Sequence, residues 1–194
     1  MIKVGQERLS VSDFEQVLYH GAGVELDSSA LQNVERNFLF LQRYSQHKII
    51  YGINTGLGPM AQYKISEEDQ RQLQYNLIRS HSSGAGQPLS EDLSRATMLA
   101  RLNSLMRGYS GIHPSAAEVL TALLNEKVTA CIYERGGVGA SGDEAFLGGV
   151  HENGLTNVAV VCGFVALVLD LPHDVKDDLR PVFTGNLARV NLAD

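Results

Sequence analysis

A mainly α-helical fold is predicted for this 194-residue chain by three observations. Apolar residues recur at helical spacing in several stretches, helix-start signals precede those stretches, and the glycine-rich sequences fall between them. With 44% hydrophobic residues, the chain can bury one moderate core with room for a small second unit.

Ser12 and Glu15 read as a capping box opening a short helix to about His20, which Gly21 ends. Leu31, Val34, Phe38 and Leu41 set one apolar face on a helix from about Ser28 to Tyr44. Ser66 with Asp69 marks another start, running toward Ser80. Ser90 opens a longer helix, with Leu93, Ala96, Leu99, Leu102 and Leu105 at helical spacing. Pro114 suits a first turn, where its missing N–H costs nothing, and opens a helix ending near Glu126. Further on, Val158 to Leu169 is a continuous apolar run, too short to cross a bilayer as a helix, and reads as a buried helix or strand. A turn signal at Asp170-Leu171-Pro172-His173-Asp174 breaks it, and Asp174 to Arg180 is charged and helix-compatible.

Composition narrows the partners. A net charge of −6 and a pI near 5.5 offer no electrostatic attraction to nucleic acid or to an anionic membrane. Cys131 and Cys162 lack metal-ligand spacing and read as reduced packing residues. His151 with Glu152 resembles a metal pair, as does His173 with Asp174, but neither has a third ligand at a readable spacing, so both read as solvated turns. Met1 to Glu7 has no apolar stretch of signal-peptide type, so the cytoplasm is the expected compartment.

The chemistry concentrates in Gly136-Gly137-Val138-Gly139-Ala140-Ser141-Gly142-Asp143. If the amide nitrogen of Gly142 attacks the carbonyl of Ala140 with loss of one water and Ser141 then loses a second, the product is a 4-methylidene-imidazol-5-one ring bearing an electron-poor alkene. Gly142 has the least hindered nitrogen, Ser141 supplies the hydroxyl to be eliminated, and Asp143 is placed for the proton transfers. The competing reading is a glycine-rich turn capped by Ser141 or Asp143, which needs no chemistry.

Two other stretches favour the chemical reading: Tyr51-Gly52-Ile53-Asn54-Thr55-Gly56-Leu57-Gly58, and Asn76-Leu77-Ile78-Arg79-Ser80-His81-Ser82-Ser83-Gly84. Together with Gly139 to Asp143, and in the same order, they resemble the signature of the aromatic amino-acid ammonia-lyases that act on histidine, phenylalanine and tyrosine. Gly58 to Tyr63 and Arg79 to Gly84 are especially similar to bacterial tyrosine ammonia-lyases of the Flavobacterium type. The resemblance covers residues 1–143 and implies the N-terminal portion of the ammonia-lyase helical fold, without its long central helical bundle. Residues 144–194 form a segment with no recognised match.

The resemblance also implies roles. Tyr51 would be the base that removes a β-proton from the substrate, on a loop hinged by glycines including Gly58. Its bland alternative is a half-buried aromatic ending the Ile49-Ile50 run. His81 would recognise the substrate ring, or else be a structural histidine fixing the Ser82-Ser83-Gly84 turn. Asn103 and Arg107, within Leu102 to Gly111, would support the floor around the ring and the subunit contacts. The implied cofactor is the ring made from Ala140-Ser141-Gly142, with no external cofactor or metal. The implied partners are a small aromatic amino acid and further copies of the chain, as a homotetramer, with no nucleic acid and no membrane.

Two functions follow as expectations. One is a lyase releasing ammonia from L-tyrosine to give p-coumarate, or from L-histidine to give urocanate, with tyrosine favoured and an aminomutase using the same residues. The other is a truncated or divergent non-catalytic helical module that associates with itself or with a full-length lyase.

Overall fold

The computed structural model describes residues 1–51, 53–56, 58–66, 69, 72 and 85–135, with the backbone of short strands at 149–151, 154–156 and 183–184. Strand β1 (Ile2–Val4) leads through helix α1 (Val11–Leu18) to strand β2 (Val24–Leu26). The two strands pair in parallel, Ile2 opposite Val24 and Val4 opposite Leu26, a geometry that requires a crossover rather than a hairpin.

α1 starts earlier than the Ser12 and Glu15 pattern indicates, and the cap is Ser10. Its hydroxyl accepts from the Asp13 amide at 3.2 Å, while the Asp13 carboxylate accepts from the Ser10 amide at 2.7 Å. Both serines satisfy the local pattern, and packing decides between them. With Ser10 as cap, the flanking positions of a hydrophobic staple are Leu9 and Phe14, which both pack against the core. A cap at Ser12 would give those positions to Val11, which is exposed, and to Gln16.

Helix α2 (Ser28–His47) begins where expected and runs past Tyr44 to His47. Its cap, Asp27, accepts from the Ala30 amide at 2.9 Å and from the Ser29 hydroxyl, with the Lys3 ammonium 3.6 Å away. The Ser29 hydroxyl, then the Ala30 amide, hold the Asp27 carboxyl below its ordinary range. The Asp27 amide also donates to the Val4 carbonyl at 2.9 Å, so one residue joins the strand pair to the helix.

Strand β3 (Ala85–Pro88) precedes helix α3 (Glu91–Leu105), whose cap Ser90 accepts from the Leu93 amide at 3.3 Å. Helix α4 (Pro114–Asn125) opens on Pro114 behind the cap His113, whose Nδ1 accepts from the Ser115 amide, and closes at Glu126. These starts and the α4 end agree with the sequence spacing. Met98, Leu99, Leu102 and Leu105 of α3 meet Leu120, Leu123 and Leu124 of α4 in one buried cluster, joined by Val4, Val17, Val24, Ala30 and Val34. Leu93, on the expected apolar row, is exposed instead, while the adjacent Ser94 and Arg95 are buried. Asn125 at the end of α4 reaches β2, accepting from the Val24 amide at 2.8 Å and donating to the Val24 carbonyl at 2.9 Å.

Strands β4 (Thr129–Ala130), β5 (Tyr133–Arg135), β6 (Gly149–His151), β7 (Gly154–Thr156) and β8 (Phe183–Thr184) complete the described elements. β3 pairs antiparallel with β5, β4 with β8, and β6 with β7. At two to four residues each, such strands are too short to show the alternation that would announce them in sequence. Ser66 and Asp69 do form the expected start, the Asp69 amide donating to the Ser66 hydroxyl at 3.2 Å, while the helix toward Ser80 lies outside the described residues. So do the run from Val158 to Leu169, the segment from Asp174 to Arg180, and Cys162. Cys131 is partly buried, and burial pushes its thiol above the ordinary range, which disfavours the reactive thiolate. Among the described residues no helix is long and apolar enough to cross a membrane.

Truncating the core should cost what a well-packed leucine contributes: Leu99→Ala is expected to lose about 2–5 kcal/mol in denaturant unfolding. Asp27 gives a pH signature. Because its folded-state carboxyl titrates below the unfolded one, its stabilisation is present above the ordinary carboxylate range and lost as pH falls through the depressed folded value. The melting-temperature gap between wild type and Asp27→Ala should therefore be widest near neutrality and narrow in acid, as read by circular dichroism across pH.

Candidate active site

The site is best built from the end of α2, where the helix stops and the tyrosine motif begins. Lys48, the C-cap, has extended backbone and turns the chain away from the helix axis. The Ile50 carbonyl then accepts from the Ile53 amide at 3.1 Å and from the Asn54 amide at 3.2 Å, so Tyr51 rides on a tight turn. Its side chain is 63% exposed, so the half-buried packing alternative is not the one adopted.

Beyond Tyr51 the chain makes an excursion that closes on itself. Thr55 bridges Lys64 in antiparallel fashion, and the Ile65 amide donates to the Asn54 carbonyl at 2.9 Å. A single 3-10 turn, Gly58–Met60, lies between these ties, with the Ala61 amide donating to the Gly58 carbonyl at 3.1 Å. Gly58 has φ +57° with no atom near where a Cβ would stand, so conformation rather than space calls for glycine there. Asn54 and Thr55 are buried, whereas Tyr51, Ile53 and Tyr63 are exposed. The loop is thus rooted in the fold and presents its aromatic groups outward.

The second family-like segment ends against the first half of α2. Gly108 has φ +74°, and a Cβ there would stand 3.3 Å from the carbonyl carbon of Asn33, so the end of α3 rests on α2 backbone. Arg107, just before it, is exposed. Asn103 sits between the core residues Leu102 and Leu105; its Oδ1 is buried and makes no hydrogen bond among the described residues. The Nε of Arg101, two residues earlier, is in the same condition. Buried polar atoms are nearly always paired, so both mark a place that calls for a partner. Arg101 was not singled out from sequence, because an arginine beside an apolar row looks like an ordinary solvated position.

The structure therefore places the Tyr51 turn just beyond the C-terminal end of α2, and Gly108, after Arg107, against Asn33 in its first half. His81, Ala140, Ser141, Gly142 and Asp143 lie outside the described residues. A separate cavity of about 150 Å³ is lined by Pro88, Leu89, Glu91, Ser94, Thr129, Ala130 and Cys131. It is smaller than most ligand pockets, which run to roughly 300–1,000 Å³, and it holds none of the motif residues. Among the described residues no group of three or more His, Cys, Asp or Glu side chains is placed to hold a metal ion.

Comparison with known proteins gives a consistent picture. A family model described as aromatic amino acid lyase matches residues 9–155, past Asp143 and into the segment that had no recognised match. The chain is 47% identical over 146 residues to a histidine ammonia-lyase of Streptococcus sanguinis (strain SK36), covering 75% of this chain and 28% of that protein. A histidine ammonia-lyase of Streptococcus gordonii is 46% identical over the same length. The chain thus spans about 28% of the curated relatives it matches. Among solved structures, a tyrosine aminomutase from Streptomyces globisporus superposes with a TM-score of 0.67 at 28% identity, over 87% of this chain and 36% of that one. A histidine ammonia-lyase from Trypanosoma cruzi superposes at 0.63 with 27% identity, over 71% and 27%. The helical fold is shared with these structures over the matched parts.

The unpaired oxygen of Asn103 yields a direct test. Asn103→Leu, which removes a buried acceptor without a partner, should leave thermal stability unchanged or raise it. A drop of several degrees in the melting temperature would show that the amide is hydrogen-bonded in solution.

Proposed function

This chain belongs to the aromatic amino acid lyase family, and from that premise we propose that it is an ammonia-lyase whose base is Tyr51. The observation that carries the reading is the Tyr51 turn itself: a tyrosine exposed just before an excursion whose root, Asn54 and Thr55, is buried. A proton β to a carboxylate is weakly acidic, so a phenolate removes it only in a site closed to water. A turn held between the C-terminal end of α2 and the buried Asn54 and Thr55 can present the phenol to a substrate and retreat again.

The residue types at 140–142 fit the self-made ring, since Ser141 has the hydroxyl to lose and Gly142 the unhindered nitrogen. Once formed, that ring supplies an electron-poor alkene that draws electron density from the substrate and so eases β-proton removal. Tyr51 takes the proton. His81 donates to or accepts from the substrate ring, and Asn103 and Arg107 support the surrounding floor. Asp143 serves the proton transfers of cyclisation. No external cofactor or metal enters, and the protein works in the cytoplasm as a homo-oligomer.

For the substrate we favour L-histidine, giving urocanate and ammonia. The Streptococcus relatives named histidine ammonia-lyase support this choice, against the leaning toward L-tyrosine and p-coumarate that Gly58 to Tyr63 suggested. An aminomutase, returning ammonia to the β-carbon, would use the same residues, and the tyrosine aminomutase neighbour keeps that outcome in the test.

A second reading, a non-catalytic module that self-associates or binds a full-length lyase, is favoured by one observation. Leu39, Phe40 and Tyr44 on the distal half of α2 are 42%, 55% and 48% exposed, with the Phe40 and Tyr44 rings stacked at 5.4 Å. Apolar side chains grouped in this way suit an interface.

Purified protein separates the readings. A lyase should show an intact mass two waters below the sequence mass, new near-ultraviolet absorbance, and urocanate from histidine. Ser141→Ala should abolish the mass loss and the absorbance while leaving helicity intact. Tyr51→Phe should keep both and lose turnover by several orders of magnitude. Normal turnover in Tyr51→Phe would show the base to be elsewhere, and a formed ring with no product from histidine or tyrosine would favour the module.

A further inference from the structure

The motif residue that the mechanism leaves without a task is Asn54. It is 3% exposed, and both amide hydrogens and one lone pair of its oxygen engage backbone. Its Oδ1 accepts from the Ile50 amide at 2.8 Å, and its Nδ2 donates to the carbonyls of Ser45 and Lys48, both at 2.7 Å. Ser45 belongs to the last turn of α2 and Lys48 is its C-cap, so the two acceptors are among the carbonyls a helix end leaves unpaired. The Lys64 ammonium meets a neighbouring carbonyl, that of Gln46, at 3.4 Å. Through its backbone, Asn54 also donates to the Ile50 carbonyl at 3.2 Å and accepts from Ile65 at 2.9 Å. Tyr51 lies inside the five-residue turn whose two ends, Ile50 and Asn54, this side chain ties to each other and to α2.

We propose that Asn54 is the positioning residue of Tyr51, its buried amide clasping the tyrosine turn to the C-terminal end of α2. The proposal rests on the reading of Tyr51 as the base. The clasp sets where the phenol stands without touching substrate, and its position matters because a displacement of about 1 Å at a reacting group costs on the order of a hundredfold in rate. Only a primary amide fits. Its oxygen must face an N–H while its nitrogen faces two carbonyls, so a carboxylate of the same shape would lose both donors and set a negative charge against the negative end of the helix.

Asn54→Asp, compared with wild type and Tyr51→Phe, tests this in the full chain. The expected result is retention of the near-ultraviolet absorbance, a fall in kcat of about tenfold to a hundredfold at little-changed KM, and a larger isotope effect with β-deuterated histidine. Asn54→Ala should behave alike, and Asn54→Gln should recover at most part of the rate. Hydrogen exchange reads the clasp without turnover: the Ile50 amide, which loses its acceptor, and the Ile65 amide should exchange faster in Asn54→Ala, while those of α3 and α4 stay protected. Unchanged exchange at Ile50 overturns the clasp, and a faster-exchanging variant with wild-type kcat overturns the positioning role. Absence of turnover in wild type, or full turnover in Tyr51→Phe, overturns the proposal through the reading it rests on. The exchange difference then shows that it was the reading, not the clasp, that failed.

Discussion

The apolar contact between α3 and α4 is the constraint on which the remaining described structure depends. A helix of 15 residues is marginal alone in water, so α3 owes its persistence to the leucines it shares with α4. Because that face is filled, the β1–β2 pair, α1 and the first half of α2 each have something to close over through Val4, Val24, Val17, Ala30 and Val34. Even the connection between α3 and α4 is fixed by it. The chain leaves α3 so close to α2 that a Cβ at Gly108, where φ is +74°, would stand 3.3 Å from the Asn33 backbone.

α2 is therefore two half-helices in environment. Its first half turns Ala30 and Val34 into the core, and its second half has no buried residue and exposes Leu39, Phe40 and Tyr44. The tyrosine loop grows from the exposed half, where local opening costs least. That placement suits a catalytic loop: movement at Tyr51 need not disturb the leucine cluster. It also explains why the loop needs ties of its own, with the buried Asn54 and Thr55 at its root, since the core does not reach it.

The parts of the fold that were legible in sequence are those set by neighbours a few residues apart. Ser90 before α3, Pro114 at the head of α4 and the leucine spacing between them act locally, so reading the chain sufficed. The start of α1 was misplaced because two serines offer the same local pattern, and the choice is made by Leu9 and Phe14 packing on a core assembled from distant residues. The short strands were invisible because two to four residues show no alternation, and for β3–β5 and β4–β8 the partners also lie far along the chain. Within the site, the residues proposed to react by side-chain chemistry are those that stand out in their motifs. Asn54 was quoted in its motif yet given no role, because its work is done on the backbone of Ser45, Lys48 and Ile50, which no residue type announces.

Asn125 carries a consequence of a different kind. In a parallel pair, alternate residues turn their amide and carbonyl away from the partner strand, and at β2 the outward-facing residue is Val24. Both of those groups are taken by the one side-chain amide of Asn125, which imitates a residue of a third strand without continuing one. A strand from another molecule arriving at this margin would find the hydrogen-bonding position at Val24 already filled. The chain thus guards the open side of the β1–β2 pair against self-templated aggregation with a single residue at a helix end.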